Sequence, residues 1–184
     1  MLQDKYDIKI MGVLESACRK AVEVTKNGRV GVIGTSGTVK SGKYGEIITK
    51  INPEMKVFSN ACPMFVPLVE NGYAESEAAM IIAKDYLKPL KEAEVDTLIL
   101  GCTHYPLLTK VISAIMGEGV TLLSPGALAA EEAKSYLEKE GLLSNKENGN
   151  SEFYVSDSVD NFTQLGSTFL GKPIDGKVHL EVFD

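Results

Sequence analysis

The sequence predicts an α/β protein whose mostly parallel sheet is covered by helices on both faces. The first observation is an alternation along the chain, in which short apolar runs are followed by segments with apolar residues at helical spacing. The second is the run Thr97–Leu100, which carries no charge and breaks at Gly101, as a buried strand does at its end. The third is a helix stop signal, Asn27-Gly28, placed directly before the next apolar run.

These patterns place the elements in order along the chain. Strands are predicted at 8–14, 29–33, 55–59, 96–100, 120–123 and 153–155. Helices are predicted at 15–26, 44–51, 74–94 and 105–116, after Gly126 to 140, and at 159–170. Pro89 lies in the last turn of the long helix and predicts a kink or an early end there. The segments 34–42, 60–72 and 142–152 are predicted as loops, and 171–184 as a tail.

Composition and charge limit the classes of partner. The chain has 184 residues with a formal net charge of −6, which argues against nucleic acid or an anionic membrane as the main partner. No apolar run reaches the roughly 18 residues that a membrane span needs, and the charges throughout residues 1–20 are unlike a signal peptide. The three cysteines are too scattered for a disulfide framework, so a reducing, cytoplasmic location is predicted. Neither the cysteines nor the two histidines have metal-site spacing, so no metal is predicted.

Cys102 is the strongest candidate for a chemical role. It follows the predicted strand at 96–100, and Pro106 after it suits the first turn of a helix. A thiol between a strand end and a helix start is biased toward the thiolate, which can act as a base near neutral pH. The alternative is a buried packing cysteine, the usual fate of a free thiol.

The two residues after Cys102 each allow more than one interpretation. Thr103 is placed to cap the helix or to point its hydroxyl at a ligand. His104 is placed to tune the thiol, to act as an acid or base, or to hold a carboxylate; the alternative is a structural histidine.

A second candidate is the Gly/Ser/Thr-rich stretch that begins at Gly34. Small residues after a strand let backbone N–H groups and hydroxyls reach an anion. The segment Gly37–Lys43 matches the GxxxxGK pattern of a phosphate-binding loop, but Tyr44 stands where Ser or Thr should hold Mg²⁺, and the strand already ends at Ile33. Nucleotide binding is therefore disfavoured, and an ordinary polar turn is the main alternative.

The stretch Asn60–Glu70 is apolar but irregular, which is typical of a loop that lines a pocket or packs under a helix. Glu70 ends it and is placed either to reach a histidine or to be a solvated carboxylate. Cys62 in this stretch and Cys18 on the first helix are predicted as packing residues.

The string Leu100–Leu108, which reads LGCTHYPLL, resembles the second active-site signature of glutamate racemases, a family in the aspartate/glutamate racemase superfamily. The resemblance covers essentially the whole chain and is also carried, in order and spacing, by Gly31–Tyr44, Cys62–Glu70 and Phe153–Leu170. It implies an isomerase that interconverts L- and D-glutamate without a metal, pyridoxal phosphate or other cofactor. It also implies that the D-glutamate is used for peptidoglycan.

Two thiols on opposite faces of the α-carbon do this chemistry in the family: one removes the proton and the other returns one from the far side. The resemblance implies that Cys102 is the second of these thiols, and that Thr103 and His104 contact the substrate and assist it. The other implied site residues are Thr35 and Thr38, in the glutamate pocket, and Glu70, which supports His104.

The N-terminal segments of the family that carry the first thiol, in Cys-Asn-Thr, and an early Asp-Ser-Gly do not occur in this sequence. Cys18, on a predicted helix, cannot be assumed to replace that thiol. The resemblance thus implies one lobe of a two-lobe fold at residues 8–125, and at 126–184 a segment that returns to the other lobe. The expectation is a chain that starts at an internal methionine and is inactive alone. It is also expected to self-associate as a homo-oligomer, to be locally disordered in 126–170, or both.

Two other functions stay open. One is a non-catalytic lobe that binds glutamate or a partner through the remaining pocket. The other is a related amino-acid racemase, such as an aspartate racemase, and the residues around Thr35 and Phe65 would discriminate between the two substrates.

Overall fold

Four parallel strands form the centre of the first part of the chain. They are β1 (Arg29–Gly34), β2 (Lys56–Ala61), β3 (Thr97–Gly101) and β4 (Thr121–Leu123), which pair in the order β2-β1-β3-β4. The computed structural model describes residues 2–145 and 149–182, and the chain divides into two units, Met1–Leu143 and Ser144–Asp184. In the described residues no helix is long and apolar enough to cross a membrane.

Helices connect the strands of the first unit. They are α1 (Val13–Val24), α2 (Ser36–Ser41), α3 (Lys43–Ile51), α4 (Phe65–Glu70), α5 (Glu77–Glu92), α6 (Thr109–Met116) and α7 (Pro125–Lys139). Short 3-10 turns lie at Leu2–Asp4 and Tyr105–Leu108. The predicted α/β fold with a parallel sheet is confirmed.

The strand order makes the chain change its direction of winding between β1 and β3. After β1 the chain moves outward to β2 and then returns to β3 on the other side of β1. The carboxyl ends of β1 and β3 are therefore neighbours, and Gly34 is paired with Gly101. In open α/β sheets, ligands bind in the crevice at this switch point.

The sheet separates two apolar cores, one on each face. Alternate residues of a strand point to opposite faces, so Val30 and Val32 of β1 join the core under α1 and α3, while Ile33 joins the core under α4, α5 and α6. In β3, Leu98 and Ile99 divide between the two cores in the same way. The predicted cover of helices on both faces is confirmed.

Helix α7 packs against α1, partly through a polar contact. The Glu132 carboxylate accepts hydrogen bonds from the Ser16 hydroxyl and from the Arg19 guanidinium, the latter at 2.7 and 2.9 Å. The Ser16 bond and the Arg19 charge hold the pKa of Glu132 below its ordinary value. Helix α7 thus lies with the first unit, and the return of residues 126–184 to another lobe stays a prediction.

The predicted strand at 8–14 is wrong. In the described chain, residues 8–12 pair with no strand, and α1 already begins at Val13. The Gln3 side chain instead donates to the Ile8 carbonyl at 2.8 Å and accepts from the Ile10 N–H at 2.9 Å. A short apolar run does not form a strand unless a neighbouring edge is available to pair with it.

Two segments predicted as loops contain helices. Helix α2 lies within 34–42 and α4 within 60–72, and each has only six residues, too few to show helical periodicity in the sequence. Helix α2 starts at its cap Thr35 and ends at Gly42, whose φ of 64° is left-handed. Helix α4 is held by Phe65, Leu68 and Val69, which are buried.

Helix α5 continues through Pro89 and ends at Glu92, two residues before its predicted end. The missing N–H of Pro89 costs one hydrogen bond close to the end of the helix. The buried side chains of Leu87 and Leu90 hold this last turn against the core.

The second unit consists of β5 (Phe153–Val155), α8 (Val159–Leu170) and β6 (Val178–Leu180), with β5 and β6 paired in parallel. The first two elements match the prediction. Strand β6 lies in the segment predicted as a tail and was not predicted, because three residues cannot show an alternation. Gly166 lets α8 approach the chain before β6, since a Cβ there would lie 2.6 Å from Ile174 Cδ1. Residues 183–184 of the predicted tail and 146–148 of the predicted loop lie outside the described residues.

Candidate active site

Thr35 and Cys102 occupy neighbouring positions at the carboxyl edge of the sheet. Thr35 directly follows Gly34, Cys102 directly follows Gly101, and these two glycines are register partners. The pairing of β1 with β3 therefore brings together two motifs that are far apart in the sequence. They meet at the switch point, where a parallel sheet binds its ligands.

Cys102, His104 and Glu70 form a line of polar groups. His104 Nδ1 lies 4.0 Å from Cys102 Sγ, and His104 Nε2 lies 3.1 Å from Glu70 Oε1. The side chains of His104 and Glu70 are 21% and 44% exposed. When Nε2–H donates to the carboxylate, Nδ1 presents its lone pair toward the thiol and can take the thiol proton. The predicted contact of Glu70 with a histidine is present, and α4 brings Glu70 there.

Thr103 does not cap a helix, which corrects one of its two interpretations. Its hydroxyl lies 3.3 Å from His104 Nδ1, and the turn at Tyr105–Leu108 has no side-chain cap. The predicted helix at 105–116 is a 3-10 turn followed by α6 from Thr109. The α-helix that was expected to begin directly after Cys102 therefore begins only at Thr109. The ring nitrogen Nδ1 of His104 lies 4.0 Å from the Cys102 thiol.

Thr35 and Thr38 are joined by hydrogen bonds at the start of α2. Thr35 Oγ1 accepts from the Thr38 N–H at 3.3 Å, and the two hydroxyls lie 3.0 Å apart. The Thr38 methyl group lies over the end of the sheet, where a Cβ on Gly34 would be 2.9 Å from it. Because α2 occupies Ser36–Ser41, this stretch does not form a phosphate-binding loop, and the GxxxxGK match has no structural counterpart.

The turn after Cys102 is fixed to the core by an aromatic side chain. The Tyr105 hydroxyl donates to the Cys62 carbonyl at 2.9 Å, and its ring packs edge-on against Phe65, with centroids 5.1 Å apart. Cys62 and Cys18 are 0% exposed, and burial raises the pKa of Cys62 to about 12 and that of Cys18 to about 11. Both are packing residues, as the sequence predicts, and both stay protonated near neutral pH.

A cavity of about 460 Å³ opens beside Cys102 within the first unit. Of the predicted site residues, Cys102, Thr103 and Thr38 line it, and Thr35, His104 and Glu70 do not. The other lining residues fall in the Gly34–Tyr44 stretch and the LGCTHYPLL string that the sequence singled out (Gly37, Ser41, Lys43, Tyr44, Leu100, Gly101 and Pro106), and those that sequence reasoning missed are Val13, Leu14, Ser124, Pro125 and Gly126. One sequence signal could have found these residues: each lies near the end of an element at the carboxyl edge of a parallel sheet, where ligands bind. Within 2–145 and 149–182, no group of three His, Cys, Asp or Glu side chains is placed to hold a metal ion.

The sequence profile described as Asp/Glu/Hydantoin racemase matches residues 1–133, which are most of the chain. The chain belongs to this racemase family. The match includes the Cys102-Thr103-His104 segment and the Thr35–Thr38 turn, so the resemblance on which the sequence prediction rests is confirmed.

Curated members of the racemase family are similar to the chain over nearly its whole length. The glutamate racemase 2 of Caldanaerobacter subterraneus is 46% identical over 171 residues, which are 93% of this chain and 65% of that protein. The glutamate racemase of Geobacter metallireducens is also 46% identical over 171 residues, which are 92% of this chain and 63% of that protein. The chain thus spans slightly less than two thirds of the length of these relatives.

Solved racemase structures share the fold. A glutamate racemase isoform from Bacillus anthracis is 36% identical, with a TM-score of 0.88 that covers 100% of this chain and 67% of that one. The glutamate racemase of Francisella tularensis, solved in complex with D-glutamate, is 31% identical, with a TM-score of 0.85 that covers 99% of this chain and 66% of that one. These similarities agree with the parallel α/β architecture described above.

Proposed function

We propose that the chain carries one half of a cofactor-independent glutamate racemase site, with Cys102 as a proton-transfer thiol. The observation that carries the proposal is the position of Cys102 at the switch point, 4.0 Å from an imidazole that a carboxylate orients. Membership of the racemase family, and the names of relatives that are 46% identical, support glutamate as the substrate. A related structure was solved with D-glutamate, which supports a small amino acid as the ligand.

Racemisation needs one proton to leave the α-carbon on one face and another to arrive on the opposite face. The Cys102 thiolate takes the α-proton, and the electron pair left on carbon is delocalised into the adjacent carboxyl group. A second thiol on the far side then gives its proton to that carbon, which inverts the configuration. No electrons are gained or lost overall, and the proposed reaction includes no cofactor.

The neighbouring residues have proposed roles that follow from their contacts. His104 takes the thiol proton through Nδ1, and Glu70 fixes the orientation of the imidazole through Nε2. Thr103, which lines the cavity, offers its hydroxyl to the substrate. The glutamate pocket is completed by Thr35 and Thr38.

The chain alone is proposed not to racemise glutamate, because no second thiol reaches the site within the described residues. Cys18 and Cys62 are 0% exposed, and burial raises the pKa of each, so they stay protonated. The purified chain is expected to leave the circular dichroism of an L-glutamate solution unchanged. Turnover that disappears in Cys102→Ala would contradict this part of the proposal.

Substrate binding is tested separately from turnover. L- or D-glutamate is expected to slow the alkylation of Cys102 by iodoacetamide, because a bound substrate covers the thiol. Lysine is the control, since it shares the α-amino acid group but has a side chain of the opposite charge. Equal protection by glutamate and lysine, or none by either, would contradict the assignment of glutamate.

Two alternatives are tested in the same way. A non-catalytic glutamate-binding lobe is favoured by the combination of an open cavity with a single accessible thiol, and it predicts that glutamate binds equally well to Cys102→Ala. A racemase for a related amino acid predicts that aspartate protects Cys102 better than glutamate does. Isothermal titration of both amino acids against the wild-type chain and the variant separates these outcomes.

The proposed physiological role is the supply of D-glutamate for peptidoglycan, in the cytoplasm. The net charge of −6 supports a small-molecule substrate rather than nucleic acid or a membrane surface as the main partner. A homo-oligomer is the proposed assembly.

A further inference from the structure

Tyr44 is a polar side chain near Cys102 that the proposed mechanism does not use. It lies in the first turn of α3, is 6% exposed and lines the cavity beside Cys102. The ring lies against the end of β3, since a Cβ on Gly101 would be 3.2 Å from the ring carbon Cε2. Because Gly101 has no side chain, the Tyr44 ring can pack against the end of β3.

The Tyr44 hydroxyl makes no hydrogen bond to any residue in 2–145 or 149–182. In the same part of the chain, no buried side-chain oxygen is left without a partner, so this oxygen must reach open space. The cavity beside Cys102 is a space that Tyr44 lines. A phenol that is otherwise buried thus presents its polar end to the contents of the cavity.

This hydroxyl is a donor over the whole neutral range. Burial, together with the nearby Cys18 and Cys102 thiols, raises the pKa of Tyr44 to about 12. The phenol therefore keeps its proton at neutral pH and cannot serve as a base there. A neutral phenol can both accept and donate hydrogen bonds, and toward an anion it can only donate.

We propose that Tyr44 is a further binding residue of this site, whose hydroxyl donates a hydrogen bond to a carboxylate held in the cavity beside Cys102. A carboxylate fits because Thr38 and Thr103, which also carry hydroxyl groups, line the same cavity; the Ser41 hydroxyl already donates to the Thr38 carbonyl at 2.7 Å. The identification of this carboxylate as one of those of glutamate rests on the proposed function. The geometry of Tyr44 is independent of that function. The bond fixes the ligand from the α3 side of the cavity and so sets the position of its carbon atoms relative to the thiol.

Two alkylating reagents that differ by one charge test this proposal. Iodoacetate carries a carboxylate and iodoacetamide a neutral amide of nearly the same size, and both are directed to Cys102 because Cys18 and Cys62 are 0% exposed. In Tyr44→Phe, the rate with iodoacetate is expected to fall about tenfold relative to the rate with iodoacetamide, as for the loss of one hydrogen bond to a charged group.

The matched control is Tyr86→Phe. Its hydroxyl accepts from the Met64 N–H at 3.4 Å, and its ring packs with the core on the other face of the sheet. This variant is expected to keep the wild-type ratio of the two rates. An unchanged ratio in Tyr44→Phe would overturn the proposal, and so would an equal fall with both reagents, because that indicates a general disturbance of Cys102.

Failure of the proposed substrate is distinguishable in the same assay. If neither enantiomer of glutamate protects Cys102, the proposed function fails, while the ratio of the two rates still reports on Tyr44. If glutamate protects and the ratio is unchanged in Tyr44→Phe, only the inference about Tyr44 fails.

A measurement on the wild-type chain covers the case in which Tyr44→Phe does not fold. Protein with tyrosine labelled with carbon-13 at Cζ is alkylated at Cys102 with either reagent and compared by NMR. The Tyr44 signal is expected to differ between the carboxymethylated and the carbamidomethylated protein, and the Tyr86 signal is expected to be the same in both. Identical Tyr44 signals would contradict the proposal.

Discussion

At the scale of single residues, His104 connects the thiol to the rest of the site. Its two ring nitrogens have different partners, the Cys102 thiol on one side and the Glu70 carboxylate on the other. The sequence could place His104 near Cys102 because the two are only two positions apart. The resemblance implies Glu70 as its partner, but the residue pattern alone left Glu70 open, because that contact depends on α4, whose six residues carry no helical pattern.

Replacing Glu70 with glutamine tests the orientation of His104. The amide has the same size but lacks the charge that holds the imidazole, and a partly exposed pair of this kind contributes little. The rate of Cys102 alkylation by iodoacetamide near neutral pH is expected to fall about twofold to fivefold. Glu75→Gln is the control, since Glu75 pairs with Lys110 at 2.6 Å and should leave the rate unchanged. A wild-type rate in Glu70→Gln would show that Glu70 does not act through His104.

The three cysteines are expected to react in a fixed order. Cys102 is half-buried, whereas Cys18 and Cys62 are fully buried, and burial raises the pKa of both. Mass spectrometry after brief treatment with iodoacetamide is expected to find one adduct, on Cys102, in the native protein and three in urea. Early modification of Cys62 would be inconsistent with the packing described for the β2–α4 connection.

At the scale of elements, Asp96 joins the end of α1 to the start of β3. Its carboxylate accepts hydrogen bonds from the Thr25 hydroxyl at 2.6 Å, the Lys26 and Asn27 N–H groups at 2.7 and 2.8 Å, and the Thr97 hydroxyl at 3.0 Å. Burial alone would raise the pKa of Asp96, but these bonds together hold it below its ordinary value. The turn after α1 is thus fixed by one side chain from another element.

Asp96→Asn is expected to destabilise the fold by about 1–3 kcal/mol, because the amide nitrogen meets donors where the carboxylate oxygen accepts. Urea unfolding followed by circular dichroism measures the change, with Asp85→Asn on the exposed face of α5 as the control. The lowered pKa means that this stabilisation is complete above the unfolded-state pKa of about 3.9 and is lost as the pH falls through the folded value. An equal loss of stability in both variants would contradict the special role of Asp96.

The strands of the sheet were predicted within two residues of their observed ends, whereas two short helices and one strand were missed. Strands β1 and β3 are buried on both faces, so their sequences are continuous apolar runs that stand out. Helices α2 and α4 and strand β6 form because caps, core contacts or a free strand edge are available to them. Core contacts and free strand edges belong to the neighbouring elements and leave no pattern in the segment itself, and α2, whose caps are local, is too short to show helical periodicity.

At the scale of the whole molecule, stability is expected to fall in alkaline solution. Burial raises the pKa of Cys62 from 9.0 to about 12 and that of Cys18 from 9.0 to about 11. Above the unfolded-state value, the unfolded chain releases these protons while the folded chain keeps them, so unfolding becomes more favourable as the pH rises toward the folded values. The urea midpoint is expected to be constant to about pH 8 and to fall steadily at higher pH.

Cys62→Ser isolates the contribution of Cys62 to the alkaline loss of stability, because the serine hydroxyl does not ionise in the alkaline pH range in which the thiol does. Its midpoint is expected to be lower at neutral pH but to fall less steeply with rising pH than that of the wild type. A fall as steep as in the wild type would mean that Cys62 does not contribute to the alkaline loss.

The second unit is expected to promote self-association. Strands β5 and β6 form a two-stranded pair, which is at best marginally stable alone, and Tyr154, Leu180 and Val182 expose apolar side chains there. Size-exclusion chromatography with light scattering is expected to give a dimer or larger species, and Leu180→Asp is expected to shift it toward the monomer. A wild-type chain that is monomeric at all concentrations would contradict this expectation.

By itself, the sequence determined the parallel α/β fold, the packing roles of Cys18 and Cys62, and the placement of Cys102 and His104 just after a buried strand. These features are local, because burial of a strand and the break at its end are written in consecutive residues. Only the tertiary structure decided how α4 brings Glu70 to His104, a contact that the resemblance implied, and that Tyr44 shares a cavity with Cys102. Both contacts depend on the strand order and on the pairing of β1 with β3, which the packing of the whole core sets rather than any single segment.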